Sequence, residues 1–440
     1  MSRKFIIIII PIIIFAQWQI QIVDTHGGAG ASLSLDSQGN PYISYGDPDS
    51  SFLKCAQFSN SNWNIMIVDS LIVRYGWPIA SLCLDKNNIP LIAYYYEDNE
   101  DLRVAFWYDS TWGITTVDSS GRTGFSPSII TDTAGTLHIS YFTRDFYDLR
   151  YSYGDTSGWA IDVIDTANIR CSLSSLDLDI SSNPHITYIQ LLGNSQGCVK
   201  YAKKQGGTWY IASFDSNETP LPGAIATDSL SHPHIVYSVM HSIVKYGHWN
   251  GSEWIIEEVD SVPRQVTCVD IALDGNGIPH IVYSIDEMGI WYAYKTPGGS
   301  WQKEQVINGI FGQVSLALDR TDTPHIAFHD NRTFYAKRSQ TNIEHRKSFF
   351  PENLITLYPN PTRTIVGIRF SGISNDIKAL SVFDVSGRVV RNLSALLFNP
   401  GDAVNWDLCD ECGYRVEPGV YFLIAKLSTM LINRKIIVVR

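Results

Sequence analysis

The chain has 440 residues and a net charge of −11 at neutral pH, which is enough length for two or three domains. An acidic chain without a basic face argues against nucleic-acid binding. Twelve Trp and 23 Tyr beside 18% charged residues are typical of a β-rich secreted protein, and no long stretch has the period of an amphipathic helix.

Residues 1–16 have the form of an export signal. Ser2-Arg3-Lys4 is basic, and the apolar segment from Phe5 to Phe15 is too short to span a bilayer. Ala16 has the small side chain that a cleavage site requires. We therefore expect a mature chain that begins at Gln17 and has no membrane span.

A hairpin cassette then recurs seven times. In each copy an Asp ends an alternating apolar strand, Pro or Leu opens the next strand five residues later, and an aromatic residue follows four residues after that. The Asp side chain favours a turn, and Pro is tolerated at the first position of a strand. Spacings of 45 to 49 residues indicate a propeller or a solenoid. The Asp residues are Asp36, Asp85, Asp132, Asp179, Asp228, Asp274 and Asp319.

Two further strands complete each repeat. One carries a Tyr-Ala motif, and the other begins with Trp and ends with Asp six residues later, as in Trp63 to Asp69. Four strands in each repeat are typical of a propeller blade. The chain begins with an isolated Trp strand, Trp18 to Asp24, and the last repeat lacks one. We therefore predict an all-β, seven-bladed β-propeller over residues 17–338 whose N-terminal strand completes the last blade.

The C-terminal part has a different pattern. Residues 339–353 are charged and aperiodic, which predicts a linker. Residues 354–440 contain alternating strands at Thr364–Phe370, Leu380–Val385, Val420–Leu427 and Lys435–Val439, which predict a small β-sandwich.

Five motif blocks in this part resemble the C-terminal sorting domain of type IX secretion cargo, a relative of the immunoglobulin-like domain of flagellar hook-capping proteins. They are Leu357-Tyr358-Pro359-Asn360-Pro361, Phe383-Asp384-Val385-Ser386-Gly387-Arg388-Val389-Val390, Trp406-Asp407, Gly419-Val420-Tyr421-Phe422 and Lys435 to Arg440. The resemblance implies an immunoglobulin-like sandwich, the type IX secretion machinery as a partner, and export through the periplasm to the outer-membrane surface or the medium. Cys409-Asp410-Glu411-Cys412 departs from the family pattern, and it predicts either a loop disulfide or two free thiols.

The repeats resemble secreted bacterial propellers of the sialidase-like and lectin-like group, although the Ser-x-Asp-x-Gly-x-x-Trp box of sialidases is absent. In a propeller, the loops after the Trp strands share one end with the loops after the cassettes. Arg and aromatic side chains in the first set suit planar anionic or sugar ligands, or they are simply a solvated rim. The candidate ligand-binding residues are Arg74, Trp77, Arg122, Phe125, Arg170 and Arg264.

Metal and cofactor binding are not predicted. Acids at 47–49 and 97–101 suit calcium by type, but neither segment has full ligand spacing. Five repeats place His after the Pro position, and residues repeated by rotation are too far apart to share a metal, so we interpret them as packing residues. These are His138, His185, His234, His280 and His325. We interpret five cysteines as core residues rather than a disulfide framework, namely Cys55, Cys83, Cys171, Cys198 and Cys268.

Functional motifs of enzymes are missing. No Gly-x-Ser-x-Gly, His-Glu-x-x-His or phosphate-binding glycine pattern occurs, and the loop acids are scattered around the ring. The sequence therefore predicts a monomeric, exported, non-enzymatic binding or adhesion propeller with a glycan or a surface protein as its ligand. The alternatives are a carbohydrate-active enzyme of sialidase or lyase type on the same loop face, and a structural component of a surface layer.

Overall fold

The computed structural model describes residues 18–70, 80–145, 147–166, 171–193, 196–218, 220–240, 242–296, 298–339, 355–370, 377–384, 388–394, 403–427 and 431–439. The predicted export signal and residues 340–353 of the predicted linker lie outside these ranges. The chain divides into two compact units, Met1–Thr341 and Asn342–Arg440. Across the described ranges, no helix has the length and apolar composition needed to cross a membrane.

The described part of the first unit forms seven four-stranded antiparallel sheets. Six of them use consecutive strands. Three are β2 (Ala29–Leu35), β3 (Pro41–Asp47), β4 (Phe52–Ser59), β5 (Asn62–Ser70); β6 (Ala80–Leu84), β7 (Pro90–Tyr96), β8 (Asp101–Tyr108), β9 (Thr111–Asp118); and β10 (Thr123–Thr131), β11 (Leu137–Thr143), β12 (Leu149–Asp155), β13 (Gly158–Asp165). The next three are β14 (Cys171–Leu178), β15 (Pro184–Gly193), β16 (Gln196–Gln205), β17 (Thr208–Glu218); β18 (Pro220–Thr227), β19 (Pro233–Val239), β20 (Ile243–Trp249), β21 (Trp254–Ser261); and β22 (Val266–Leu273), β23 (Pro279–Ile285), β24 (Gly289–Lys295), β25 (Trp301–Ile307).

The seventh sheet joins the two ends of this unit. Its order is β1-β28-β27-β26, with β1 (Trp18–Asp24), β26 (Val314–Leu318), β27 (Pro324–His329) and β28 (Thr333–Arg338). Strand β1 runs antiparallel to β28 and places Trp18 opposite Arg338. The predicted pairing of the N-terminal strand with the last repeat is confirmed.

The innermost strands form a closed cycle of neighbours. In order around the cycle, β2, β6, β10, β14, β18, β22 and β26 each contact the next, and β26 contacts β2. A serine four residues before the cassette Asp accepts a hydrogen bond from the backbone N–H of the next inner strand, as Ser32 does from Leu82 at 3.0 Å. Ser315 accepts the same bond from Leu33 at 3.1 Å, which links the last sheet to the first. The same link is made by Ser81, Ser128 and Ser175.

Asp270 replaces this serine in the sixth sheet. Its carboxylate accepts hydrogen bonds from the N–H of Leu316 at 2.7 Å and of Ile271 at 2.8 Å. The side chain is partly buried on an inner strand, and burial raises the pKa of Asp270 to about 6. Because an unfolded Asp titrates near 4, the folded state disfavours the ionised form by roughly 2–3 kcal/mol.

Asp270→Ser should therefore stabilise the first unit at high pH but not at low pH. The cost of ionising Asp270 is absent near pH 4, grows as pH rises to about 6, and is fully present above it. Urea unfolding at pH 4.5 and pH 7.5 measures the difference. Ser128→Asp is the reciprocal variant and should acquire the same pH dependence. An equal effect of Asp270→Ser at both pH values would contradict this account.

A second link joins neighbouring sheets, near the end that has the loops after the cassettes and after the Trp strands. In five of these sheets, an Asp near the end of the outer strand accepts a hydrogen bond from the cassette Tyr of the next sheet. The basic residue opposite that Tyr also binds this Asp. Asp118 is bound in this way by Tyr141 at 2.7 Å and by Arg150 at 2.9 Å. Burial alone would raise the pKa of Asp118, but hydrogen bonds from its partners outweigh that effect and hold this pKa below its usual value. The same pairing with Tyr and Lys or Arg recurs at Asp24, Asp69, Asp165 and Asp215.

The repeated histidines are packing residues, as predicted. In the fourth sheet His185 is fully buried, with Nε2 at 3.4 Å from the Asp179 carboxylate and Nδ1 at 2.8 Å from the Tyr201 hydroxyl. Burial lowers the pKa of His185 to about 4, so the ring is neutral at physiological pH. Equivalent Asp and Tyr partners surround the other four, His138, His234, His280 and His325.

Cysteines of this unit behave as core residues. Cys55, Cys83 and Cys198 are buried and Cys268 is partly buried, and all four are unpaired thiols. The interpretation as small core side chains is confirmed for these residues. The side chain of Cys171 lies outside the described part of the chain.

The described part of the second unit consists of two sheets on one core. The first has the order β29-β30-β33, and the second has the order β32-β31-β34-β35. Their buried side chains form a single cluster that includes the fully buried Trp406. Cys409 and Cys412 are free thiols here. The strands are β29 (Ile355–Tyr358), β30 (Val366–Phe370), β31 (Ile377–Asp384), β32 (Val389–Asn392), β33 (Ala403–Trp406), β34 (Gly419–Leu427) and β35 (Leu431–Val438).

Candidate binding site

Three of the six predicted ligand-binding residues are described. Arg122 and Phe125 lie together at the start of β10, whereas Arg264 lies in the loop between β21 and β22. Arg264 is more than half exposed and pairs with Glu287 at 2.9 Å, away from the cluster around Arg122. The other three, Arg74, Trp77 and Arg170, lie outside the described residues.

Hydrogen bonds between backbones tie three loops together around Arg122. The Thr123 N–H donates to the Glu100 carbonyl at 2.9 Å, which joins β10 to the β7–β8 loop of the preceding sheet. The Arg144 N–H donates to the Arg122 carbonyl at 2.8 Å, which joins the β11–β12 loop to the same point. These bonds hold the backbones of the three loops together before any ligand arrives.

A β-bulge directs Phe125 towards the preceding sheet. The pairing of β10 with β11 shifts register on both sides of Phe125, and Ser126 has a positive φ of 49°. Gly124 has a φ of 93°, and a Cβ there would lie 2.8 Å from the Cα of Leu102, so only glycine allows this close approach. Bulges and unusual φ values often mark positions where a side chain is aimed for function.

Phe125 packs on Tyr95 at the end of β7. Their ring centroids are 4.2 Å apart and the ring planes are inclined by 33°. Both rings are half-buried. Burial raises the pKa of Tyr95 to about 12, and Glu100 and Glu97 act in the same direction. The hydroxyl is therefore protonated at neutral pH and able to donate a hydrogen bond.

Charged side chains surround this aromatic pair. Arg122 Nε donates to Glu100 at 2.6 Å, and its guanidinium lies 3.9 Å from the Asp145 carboxylate. Arg144 is exposed, and its guanidinium carbon lies 5.6 Å from the centre of the Phe125 ring. Aromatic rings beside fixed donors and acceptors can bind the apolar face and the hydroxyl groups of a sugar.

Tyr95 and Arg144 were not among the residues predicted from the sequence, although the repeats contain a signal for Arg144. Tyr95 follows the cassette aromatic, and it does not stand out there because other repeats also have a large residue, Phe142, Ile189 or His329, at this position. Among the seven residues equivalent to Arg144, it is the only basic one. The others are Pro48, Glu97, Leu191, Met240, Asp286 and Asn331. Departures from the repeat mark places that the fold itself does not require.

The acidic segments considered for calcium are engaged by protein groups. The Asp47 carboxylate accepts hydrogen bonds from Ser50 at 2.6 Å and lies 2.7 Å from the Lys54 amine. In the second segment, Glu100 is paired with Arg122. Within the described residues, no group of three or more His, Cys, Asp or Glu side chains is arranged to hold a metal ion.

Comparison with protein families identifies the C-terminal part. Residues 356–439 match the family described as the secretion system C-terminal sorting domain. This family marks proteins that the type IX system exports to the cell surface or the extracellular space, so the predicted localisation is confirmed. The type IX secretion machinery is accordingly a partner of this chain.

Comparison with solved structures identifies the fold of the first unit. A polysaccharide lyase, the PL25 ulvan lyase bound to a GlcA(1-4)Rha3S repeat, is 12% identical, with a TM-score of 0.53, over 72% of this chain and 95% of the lyase. This similarity supports a propeller-like fold.

Two other solved structures align with TM-scores below 0.5. PorZ, a surface component of the type IX secretion system of Porphyromonas gingivalis, is 13% identical with a TM-score of 0.48, and the match covers 94% of this chain but 60% of PorZ. The SapL1 lectin in complex with α-methyl fucoside is 13% identical with a TM-score of 0.43, over 65% of this chain and 97% of the lectin. A search of curated proteins by sequence finds no match.

Proposed function

We propose that the chain is a seven-bladed β-propeller followed by an immunoglobulin-like sorting domain, and that it acts at the cell surface as a non-enzymatic glycan-binding or adhesion protein. The domain boundaries follow the predicted ones, with a signal at 1–16, the propeller at 17–338, a linker at 339–353 and the sorting domain at 354–440. The protein acts as a monomer and requires no cofactor.

The cluster of Tyr95, Phe125, Arg122 and Arg144 is the observation that carries this proposal. It combines a half-buried aromatic pair with charged hydrogen-bonding groups on loops that are fixed to one another. A sugar fits such a site because its C–H face packs on a ring while its hydroxyl groups bind the charged side chains. On sequence grounds alone, Arg74, Trp77, Arg170 and Arg264 remain further candidate ligand-binding residues of this proposal.

A glycan ligand is favoured over a surface protein by the composition of the site. Glu100 and Asp145 are hydrogen-bond acceptors that match sugar hydroxyls, and Arg122 fixes both of them. A protein interface of standard size would instead need a broad apolar centre with a polar rim. The described cluster is a small polar site around two rings.

Arg122→Ala should weaken glycan binding by about tenfold or more, because a hydrogen bond to a charged group contributes roughly 1.5–3 kcal/mol. Arg122 is partly exposed, so the variant should keep the melting temperature within a few degrees. A glycan array with the full-length mature protein identifies the ligand, and titration measures the loss. Arg320→Ala is the control, since this exposed arginine lies next to the β26–β27 turn at the other end of the sheets.

The same experiment separates binding from catalysis. Every glycan that binds should be recovered intact after long incubation with the wild-type protein. Cleavage that disappears in Glu100→Gln or Asp145→Asn would favour the alternative, a carbohydrate-active enzyme of sialidase or lyase type. Absence of binding to any glycan would contradict the proposed function.

A further inference from the structure

The arginines at the loop end differ in whether they have an acidic partner. Arg122 is paired with Glu100, Arg264 with Glu287, and Arg332 with Asp330 at 2.6 Å. Arg144 is exposed next to Arg122, and none of the acidic side chains in the described ranges forms an ion pair with it. An arginine held over a ring without an acidic partner keeps its paired N–H groups available for a ligand carboxylate.

Tyr95 offers a second available group at the same place. Its hydroxyl has no hydrogen-bond partner among the residues that the structure describes, although its ring packs closely on Phe125. The raised pKa of about 12 keeps the hydroxyl protonated at neutral pH. The Tyr95 ring packs on Phe125, and the Arg144 guanidinium lies 5.6 Å from the centre of the same ring. A donor hydroxyl and a guanidinium on either side of one ring are complementary to a negatively charged oxygen pair.

We propose that Arg144 makes this site selective for an acidic sugar, a uronate residue whose carboxylate binds the guanidinium while its ring packs near Phe125 and Tyr95. This inference rests on the proposed glycan-binding function and names the ligand class of that site. Arg122 has a different role, because its pairs with Glu100 and Asp145 position these two carboxylates as acceptors for the sugar hydroxyls.

Charge around the site limits how acidic the glycan can be. Glu97, Asp98, Glu100 and Asp145 all lie in the two loops that carry the site, and the whole chain has a net charge of −11. A densely sulfated polymer would be repelled by this surface, since like charges that face each other disfavour association. A glycan that has one carboxylate among many hydroxyl groups can bind Arg144 through that carboxylate. Its other groups are neutral and are not repelled by the acidic side chains of the loops. The site therefore fits a uronate-containing polysaccharide better than a highly charged one.

The experiment uses trisaccharides of galacturonate, glucuronate and mannuronate, each beside its carboxyl-reduced counterpart, titrated calorimetrically into the full-length mature protein. At least one acidic trisaccharide should bind about tenfold or more tightly than its reduced form. Arg144→Ala should remove this difference, so that the acidic trisaccharide and its reduced form bind with equal affinity. Arg144→Lys should restore part of the difference, because Lys keeps the charge but loses the forked geometry. Arg320→Ala should change nothing.

Each other outcome has a definite meaning. If reduced and acidic trisaccharides bind equally, the acidic-sugar inference is wrong while glycan binding stands. If the wild type and Arg144→Ala prefer the acidic form equally, a residue other than Arg144 binds the carboxylate and the role proposed for Arg144 is wrong. If neither these probes nor any sugar on the glycan array binds, the proposed function itself is overturned.

Discussion

Deleting residues 17–24 should lower the melting temperature of the first unit by about 10 °C or more and cause the protein to self-associate. Strand β1 supplies the outer strand of the seventh sheet by pairing with β28. Trp18 packs edge-on against Tyr292 with 5.3 Å between ring centroids and donates a hydrogen bond to Glu304 at 3.1 Å. Deleting the strand exposes the unpaired edge of β28, which favours self-association. It also leaves the partners of Asp24 without its carboxylate, which lowers the free energy of unfolding.

A matched variant separates loss of the strand from loss of exposed apolar surface. Ile20 and Ile22 are 38% and 48% exposed on β1, so Ile20→Thr with Ile22→Thr should leave the strand in place and the melting temperature nearly unchanged. Calorimetry and light scattering compare the two proteins. A deletion variant that melts like the parent and stays monomeric would show that β1 does not close the unit.

The strands of the first unit could be predicted because each repeat contains the residue pattern that defines its own strands. An alternating strand, an Asp, a tight turn and a Pro define the cassette hairpin without reference to any other repeat. The bonds between sheets could not be predicted in this way. Within its own repeat Ser32 is only a small residue of an alternating strand, and its acceptor role depends on Leu82, which lies in the next repeat. The same holds for Asp118, whose partners Tyr141 and Arg150 follow in the next sheet.

The candidate site was predicted in part for the same reason. Arg122 and Phe125 were found because an arginine and an aromatic residue stand out in a short loop. Tyr95 was hidden because it directly follows the repeated aromatic position, Tyr94, inside an ordinary apolar strand. Arg144 was missed because it lies in one of the loops after the cassettes, where acidic residues predominate. The β-bulge at Ser126 orients Phe125 towards Tyr95, and this backbone conformation cannot be predicted from the residue types.

In the second unit, several strands are too short to be predicted from alternating apolar and polar residues. β29, β32 and β33 have four residues each, and they were identified only as motif blocks or not at all. β35 begins at Leu431, four residues before the predicted strand, because its pairing with β34 extends to Lys426 opposite Leu431. A strand that completes its sheet is thus longer than its alternating part suggests.

Removing residues 434–440 should abolish export of a reporter that carries this domain. Ile436 and Val438 are buried in the core of the second unit, and Asn360 binds the backbone of β35 on both sides, at Lys435 and Ile437. Truncation therefore removes most of the edge strand β35, two core side chains and the partners of Asn360 together. A domain that cannot fold cannot be recognised as a sorting unit.

The test fuses residues 354–440 to a fluorescent protein directed to the periplasm of a bacterium with a type IX system. The intact fusion should reach the cell surface or the medium, and the truncated fusion should remain in the periplasm. Lys435→Gln distinguishes the strand from the charge of the terminus, because Lys435 is exposed and its loss leaves the core intact. Normal export of this variant would show that the secretion machinery recognises the folded sheet. Retention in the periplasm would show that it recognises the basic terminus. Equal export of the intact and truncated fusions would mean that β35 is dispensable for sorting and that the machinery reads an earlier part of the domain.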